Sequence, residues 1–204
     1  MAFFIRDSLG LPTGAGVISL IGAGGKTSLM FGLARELAGS GHSVLTTTTT
    51  HLFFPSKDQS PVTLVTETVT KFLSRARPVL KNHRHVSAGT RHMPDTGKLK
   101  GFAAAKIDEI RHAGLFDWII VEADGAKQLP IKASDTHEPV MPSATTAIVH
   151  VTGLDAFNTP ADDSLFAIAG DHPRSRNNRS LVFGLRQSQG SIEGCKSSGC
   201  QPGD

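Results

Sequence analysis

The chain has 204 residues, a length that fits one domain or one domain with an appendage. Hydrophobic residues make up 39% and charged residues 19%, which is typical of a globular protein and excludes disorder throughout. The net charge of +3 is too small to indicate nucleic-acid binding, no apolar run approaches the ~18 residues of a membrane span, and the N-terminus lacks the apolar stretch of a secretory signal. We therefore expect a cytoplasmic protein that binds neither nucleic acid nor a membrane.

The first predicted elements form a βαβ unit. Residues 17–21 are a short β-rich apolar run that predicts a buried strand, and the glycine-rich residues 22–28 follow at once. Apolar residues at helical spacing come next and predict a helix that stops near residues 39–41, where glycine can adopt a left-handed cap. A second strand is predicted for residues 43–46. This order of elements is that of a parallel crossover unit.

Strands and helices continue to alternate along the chain. Further strands are predicted at 62–66, 84–87, 118–121 and 147–151, helices at 67–80 and 102–113, and a loop-like segment at 91–101. Apolar strands that alternate with helices predict a sheet covered on both faces, so the expected fold class is α/β, with three α/β/α layers and a mainly parallel sheet.

The glycine loop, residues 22–28, has the composition of a phosphate-binding turn. Its members are Gly22, Ala23, Gly24, Gly25, Lys26, Thr27 and Ser28. Glycines let backbone N–H groups approach phosphate oxygens, and the helix that follows adds unpaired donors and a positive dipole end. Lys26 can reach terminal phosphates, and the hydroxyl of Thr27 or Ser28 can bind Mg²⁺. The loop therefore predicts a P-loop NTPase-like fold, although a full Walker A motif would have glycine where Leu20 stands.

A Rossmann-type dinucleotide site is the alternative interpretation of the same loop. Gly22 and Gly24 begin like the G-x-G-x-x-G motif, but Thr27 stands at its sixth position. No acidic residue ends the second strand, so the usual ligand of a ribose hydroxyl is missing.

Two acidic residues end the apolar strand 118–121. Glu122 and Asp124 share one strand face if the strand persists, because side chains alternate with a period of two. In P-loop proteins such acids hold Mg²⁺ or orient an attacking water. Because the carboxyl ends of parallel strands meet at one edge, we expect both carboxylates to lie near the glycine loop.

A run of five threonines follows the second strand. Thr46 and Thr47 are interpreted as the end of that strand, whereas Thr48 and Thr49 are placed to offer hydroxyls to Mg²⁺ or a phosphate, as is Thr50. His51 is either a partner of the same site or a surface residue.

Further candidate ligand contacts lie later in the chain. Lys127 belongs to a polar stretch directly after the acidic strand, so contact with substrate is expected there. Asp155 follows the strand 147–151 at the position where GTP-binding proteins carry a base-recognising aspartate, although Gly153 replaces the lysine of their motif. Residues 97–101 form a second basic segment that is suited to an anion.

These blocks resemble the YqeC-type selenium cofactor biosynthesis proteins, which are accessory proteins of selenium-dependent molybdenum hydroxylases. The resemblance runs from about Val17 to about Phe157 and rests on the segments VISLIGAGGKTSLMFGLARELA, VLTTTTTHLF, GKLKGF, FDWIIVEADGAKQLPIKA, HEPVMP and VTGLDAF. It implies a P-loop-like nucleotide-binding fold and a role in assembling or inserting a selenium-containing cofactor. The family blocks cover Gly22, Gly24, Gly25, Lys26, Thr27, Thr48, Thr49, His51, Glu122, Asp124, Lys127 and Glu138.

The last part of the chain departs from that family. Its members continue past the GLDA segment with ordered, hydrophobic sequence, whereas residues 171–204 are rich in Arg, Ser and Gly. Only Leu181–Phe183 has the apolar character to pack. We therefore assign residues 1–170 to a P-loop-like nucleotide-binding domain and predict that 171–204 are a disordered tail, of the kind that a frameshift or truncation produces.

The leading hypothesis is an ATP- or GTP-binding accessory protein with Mg²⁺ as its cofactor. Lys26, Glu122 and Asp124 are its candidate catalytic residues, and Thr27 joins the two acids as a metal ligand. NTP hydrolysis and phosphoryl or nucleotidyl transfer both remain open, and so does a non-catalytic module that nucleotide switches. The expected partners are the nucleotide and a selenium-dependent molybdenum hydroxylase or its cofactor.

Overall fold

The computed structural model describes residues 4–22, 24–124 and 139–153, and the backbone of residues 180–185. Within these ranges no helix has the length and apolar character to cross a membrane. Lys127, Asp155, Ala23 and Glu138 lie outside the described residues, so nothing in the structure bears on their predicted roles.

A seven-stranded parallel sheet forms the centre of the fold. The strands in the described residues are β1 (Gly16–Gly22), β2 (Val44–Thr48), β3 (His51–Phe53), β4 (Thr63–Val65), β5 (His85–Gly89), β6 (Arg91–Met93), β7 (Lys98–Lys100), β8 (Trp118–Glu122), β9 (Thr145–Gly153) and β10 (Ser180–Leu185). In the large sheet the order is β10-β9-β1-β8-β2-β5-β4, and every neighbouring pair is parallel. Since β8 lies directly beside β1, the acidic strand end and the glycine loop emerge next to each other.

Helices cover both faces of this sheet. They are α1 (Ile5–Ser8), α2 (Lys26–Gly39), α3 (Val69–Val79) and α4 (Ala104–His112). Alternate residues of β1 point to opposite faces: Ile18 and Leu20 belong to the apolar cluster around α2, and Val17 belongs to the cluster around α3 and α4. The predicted three-layer α/β/α fold with a parallel sheet is therefore confirmed.

Residues 91–101 were expected to be loop-like, and this expectation is wrong. They contain β6 and β7, which join β3 in a small antiparallel sheet of order β3-β7-β6. Each of these strands has only three residues, too few for an alternating pattern to show in the sequence. The sheet is stabilised instead by a cross-strand pair, Leu52 and Leu99, whose side chains are both buried.

The small sheet packs on the carboxyl ends of β2 and β5. The N–H of Gly101 donates to the carbonyl of Thr50 at 3.0 Å, and the N–H of Thr90 donates to the carbonyl of Lys100 at 2.7 Å. A Cβ atom on Gly101 would lie 1.6 Å from the carbonyl oxygen of Thr48. Glycine is therefore required at residue 101 by close backbone approach.

The two glycines that flank β7 give a matched test of this packing. Gly101→Ala is expected to lower the free energy of unfolding by about 2 kcal/mol more than Gly97→Ala, because the new methyl group overlaps a backbone carbonyl. Gly97 has a left-handed backbone (φ +62°) but open space around it, so alanine there costs only about 1–2 kcal/mol. Urea denaturation of both variants measures the difference. Equal decreases in the free energy of unfolding would contradict close packing of Gly101 against the backbone of β2.

The strand β10 lies inside the segment that the sequence predicts to be a disordered tail. Its backbone pairs in parallel with β9, with Ser180 opposite Ile148 and Leu185 opposite Gly153. It includes residues 181–183, where the sequence analysis expected packing. Residues 171–179 and 186–204 lie outside the described residues, so the boundary at residue 170 stays a prediction.

Candidate functional site

The glycine loop connects the end of β1 to the start of α2. Gly22, Gly24 and Gly25 have left-handed φ angles of +93°, +72° and +99°, which other residues rarely adopt. Gly24 and Gly25 are exposed, and α2 begins at the next residue, Lys26. The N–H groups of the first helical turn have no intrahelical acceptor, and they lie at the positive end of the helix dipole. The loop therefore has the backbone geometry of an anion cradle.

Lys26 turns its side chain inward beneath this loop. The residue is only 3% exposed, and its ammonium donates a hydrogen bond to the carbonyl of Gly22. The same Nζ lies 2.7 Å from Oδ1 of Asp124, while Oδ2 of Asp124 accepts from the N–H of Gly22 at 2.6 Å. The loop lysine and an acid 98 positions further along the chain thus form one buried ion pair.

Glu122 contacts the loop through Thr27. Thr27 Oγ1 donates to Oε2 of Glu122 at 3.0 Å. Burial raises the pKa of Glu122, and the charge of Asp124 acts in the same direction. The charge of Lys26 and the hydrogen bond from Thr27 act to lower this pKa but do not offset the effect of burial. Glu122, the last residue of β8, and Asp124, two residues beyond the strand, therefore both lie beside the N-terminus of α2.

The end of the threonine run is fixed against the acidic strand. Thr48 Oγ1 donates to the carbonyl of Glu122 at 2.7 Å, and the N–H of Thr49 donates to the same carbonyl at 3.1 Å. Thr50 N–H in turn donates to Thr48 Oγ1 at 3.0 Å. The side-chain hydroxyl of Thr49 is buried and has no hydrogen-bond partner among the described residues.

The beginning of the run has the structural role that its position in the strand suggested. Thr46 Oγ1 lies 3.0 Å from Nε2 of His85 and 2.6 Å from Oγ of Ser87, both on β5. Thr47 Oγ1 donates to the carbonyl of Ala88 at 2.9 Å. These contacts join β2 to β5 inside the sheet.

His85 makes the stability of the fold depend on pH. Burial, with a smaller contribution from the charge of Arg35, lowers the pKa of His85 from 6.5 to about 4. The unfolded chain binds a proton below pH 6.5 that the folded protein accepts only near pH 4, so stability falls as the pH drops through this window. Between pH 7 and pH 4 we expect His85 alone to lower the free energy of unfolding by about 3 kcal/mol.

Urea denaturation across this pH range tests that expectation. His85→Gln keeps a polar side chain that can bond Thr46 and is expected to flatten the pH dependence. His112→Gln, at an exposed histidine of α4, is the matched control and is expected to leave the dependence unchanged. An unchanged slope in His85→Gln would contradict the assignment.

His150 lies beside the site, a position that the sequence did not predict for it. It lies on β9 opposite Ile21 of β1, and a Cβ atom on Gly22 would come within 3.2 Å of its Nε2. Burial lowers the pKa of His150; the charge of Asp124 acts to raise this pKa, and the charge of Lys26 acts in the same direction as burial. Only the pairing of β1 with β9, which one sequence does not show, places this histidine beside the loop.

Two other predicted residues stand apart from this cluster. Ser28 is exposed on the first turn of α2. His51 is exposed on β3, opposite Lys100 in the small sheet, and no hydrogen bond joins its ring to the described residues of the glycine loop. The structure therefore brings Lys26, Thr27, Glu122, Asp124, Thr48 and Thr49 together but leaves His51 in the surface position that the sequence analysis kept open.

The oxygen atoms of the cluster fit a magnesium ion. Apart from the contact with Lys26, Oδ1 of Asp124 is buried and accepts no hydrogen bond from the described residues. Hydroxyl and carboxylate oxygens from Thr27, Glu122 and Asp124 are hard ligands of the kind that Mg²⁺ prefers. In the described ranges no three His, Cys, Asp or Glu residues lie close enough to hold a metal by themselves. A magnesium ion here would therefore share its shell with water and substrate phosphates.

A parallel sheet with helices on both faces, and a glycine loop beside an acidic strand end, define a three-layer α/β/α protein consistent with the P-loop NTPase-like class. The model of the YqeC family, described as "YqeC protein", matches residues 18–168. The chain therefore belongs to the YqeC family, as its sequence blocks predicted. It is 38% identical over 137 residues to a protein of Escherichia coli (strain K12) named "Uncharacterized protein YqeC". That match covers 67% of this chain and 51% of the relative, so the chain spans about half the length of the curated relative it matches.

Proposed function

We propose that this protein binds ATP or GTP with Mg²⁺ in the glycine loop. The observation that supports the proposal is the meeting of the loop's polar residues with two buried acids: Lys26 Nζ lies 2.7 Å from Asp124, and Thr27 Oγ1 lies 3.0 Å from Glu122. Buried carboxylates beside a lysine and a helix N-terminus are the parts that metal-assisted phosphate binding needs.

Each part has a role in the proposed complex. The loop amides and Lys26 hold the β- and γ-phosphates, and Thr27 with Glu122 or Asp124 holds the metal. Mg²⁺ neutralises charge on the phosphate oxygens when it is bound. The residues act by positioning and charge neutralisation, which suits NTP hydrolysis as well as phosphoryl or nucleotidyl transfer.

The proposed biological role is that of a cytoplasmic accessory protein in selenium cofactor biosynthesis or insertion for selenium-dependent molybdenum hydroxylases. This part of the proposal rests on membership of the YqeC family. The partner is then such a hydroxylase or its cofactor.

Calorimetric titration with ATP, GTP and NAD⁺ in the presence of MgCl₂ tests the proposed site. Lys26→Ala is expected to weaken ATP or GTP binding about 10- to 100-fold, because a charge-assisted hydrogen bond to phosphate is worth about 1.5–3 kcal/mol. Lys106→Ala, at an exposed lysine paired with Glu109 on α4, is the matched control and is expected to bind like wild type.

Two results would contradict the proposal. Equal binding of ATP and GTP by wild type and Lys26→Ala would remove the loop lysine from the site, and competition by NAD⁺ alone would favour a Rossmann-type site. If nucleotide binds, multiple-turnover phosphate release then separates an NTP hydrolase from a module that nucleotide only switches.

A further inference from the structure

We propose that Asp124 competes with nucleotide phosphates for the loop lysine and that a divalent cation relieves this competition. The ligand taken is then the metal–nucleotide complex and not the free nucleotide. This inference rests on the proposed function, since it concerns the regulation of the same site.

The carboxylate of Asp124 uses donors that a phosphate would otherwise use. Its Oδ2 accepts the N–H of Gly22 at 2.6 Å, and its Oδ1 lies 2.7 Å from the ammonium of Lys26. The ammonium also donates to the carbonyl of Gly22. The carboxylate of Asp124 is thus already paired with the ammonium of Lys26 at the base of the glycine loop.

Burial makes this contact a strong barrier to a free phosphate. Lys26 and Asp124 are 3% and 6% exposed, so their charges are only weakly screened by water. A phosphate that approaches Lys26 meets an ammonium that is already neutralised and a carboxylate of its own sign. Like charges repel strongly in such a buried site, so the carboxylate of Asp124 in this position disfavours free nucleotide.

A cation relieves both effects at once. Oδ1 of Asp124 has no partner besides Lys26 among the described residues, and Glu122, two residues earlier, accepts the hydrogen bond of Thr27. Asp124 and Glu122 would hold a divalent ion here, and its charge would offset theirs and free the ammonium of Lys26 for the phosphates. Cation binding and phosphate binding therefore favour each other, and by linkage the effect is reciprocal.

Nucleotide titrations with saturating MgCl₂ and with EDTA test this coupling in wild type and Asp124→Asn. Wild type is expected to bind ATP or GTP at least about 10-fold more tightly with Mg²⁺. Asp124→Asn keeps the shape of the side chain but lacks its charge, so it is expected to bind free nucleotide about 10-fold more tightly than wild type and to lose most of the Mg²⁺ effect. Asp108→Asn is the matched control, since Asp108 also accepts backbone N–H groups, from Ser143 and Ala144, but lies on α4.

The outcomes separate this inference from the proposed function. If Asp124→Asn binds free nucleotide no better than wild type, or if wild type binds equally well with EDTA, the inference about Asp124 is overturned and the proposed nucleotide site stands. If wild type binds no nucleotide even with Mg²⁺, the proposed function fails, and the inference about Asp124 fails with it.

Amine labelling gives a readout that needs no nucleotide. Acetylation of Lys26, followed by mass spectrometry, is expected to be slow in wild type and about 10-fold faster in Asp124→Asn, because the ammonium loses its buried partner. Asp124→Ser, which retains an oxygen for the N–H of Gly22, takes its place if the asparagine variant does not fold. Equal labelling rates in folded protein would overturn the proposal.

Discussion

Lys26→Met is expected to lower the free energy of unfolding by about 3–5 kcal/mol, because it leaves the charge of Asp124 buried without a counter-charge. The two side chains are 3% and 8% exposed and meet at 2.7 Å, so little solvent screens them. Lys26→Met combined with Asp124→Asn removes both charges and is expected to recover most of this loss. Urea denaturation of the two single variants and the double variant gives the coupling energy.

The chain contains a matched exposed pair for comparison. Lys106 and Glu109 meet at 2.6 Å on α4, with side chains 54% and 50% exposed. The same cycle on that pair, with Lys106→Met and Glu109→Gln, is expected to give a coupling below about 1 kcal/mol, since exposed ion pairs contribute little. Similar coupling energies for the two pairs would contradict the expectation that burial makes the pair of Lys26 and Asp124 a strong interaction.

Glu122→Gln is expected to weaken the Mg²⁺-dependent part of nucleotide binding about 10- to 100-fold, which is the usual cost of removing a metal-site carboxylate or its support. Glutamine keeps an oxygen that can accept the hydrogen bond of Thr27, so the fold around the loop is retained. Binding in EDTA is expected to be unchanged or slightly stronger, because a negative charge near the phosphates is lost. Calorimetry with and without MgCl₂ measures both values.

Glu109→Gln, on the exposed surface of α4, controls for the change of charge and is expected to behave like wild type. A Glu122→Gln protein that keeps the full Mg²⁺ effect would exclude Glu122 from the metal site. The metal would then have to be assigned to Asp124 and Thr27 alone.

The parts of the fold that the sequence predicts well are those with long apolar patterns. The apolar run of β1, the helical spacing in α2 and the apolar run of β8 are local signals. The structure places β1 and β8 within one residue of their expected bounds and ends α2 at Gly39, near where its end was expected. The small antiparallel sheet gave no such signal, because its three-residue strands depend on one buried leucine pair, Leu52 and Leu99.

The site was predictable in its residue types and only partly in its geometry. The sequence placed Glu122 and Asp124 on one face near the loop, since parallel strands end at the same edge. It did not show that β8 lies directly beside β1, which is what brings Asp124 to the N–H of Gly22. It also assigned the ammonium of Lys26 to terminal phosphates; in the structure that ammonium lies against Asp124. The orientation of the Lys26 side chain depends on a carboxylate from a distant part of the chain, which a local sequence pattern does not encode.

The most direct test of the central claim is a crystal structure of the protein with Mg²⁺ and a non-hydrolysable ATP or GTP analogue. The account predicts phosphates within hydrogen-bonding distance of the amides of residues 24–27, the ammonium of Lys26 moved from Asp124 to a phosphate, and the metal beside Thr27 and the two carboxylates. A nucleotide bound elsewhere, with Lys26 and Asp124 still paired under an empty glycine loop, would contradict it.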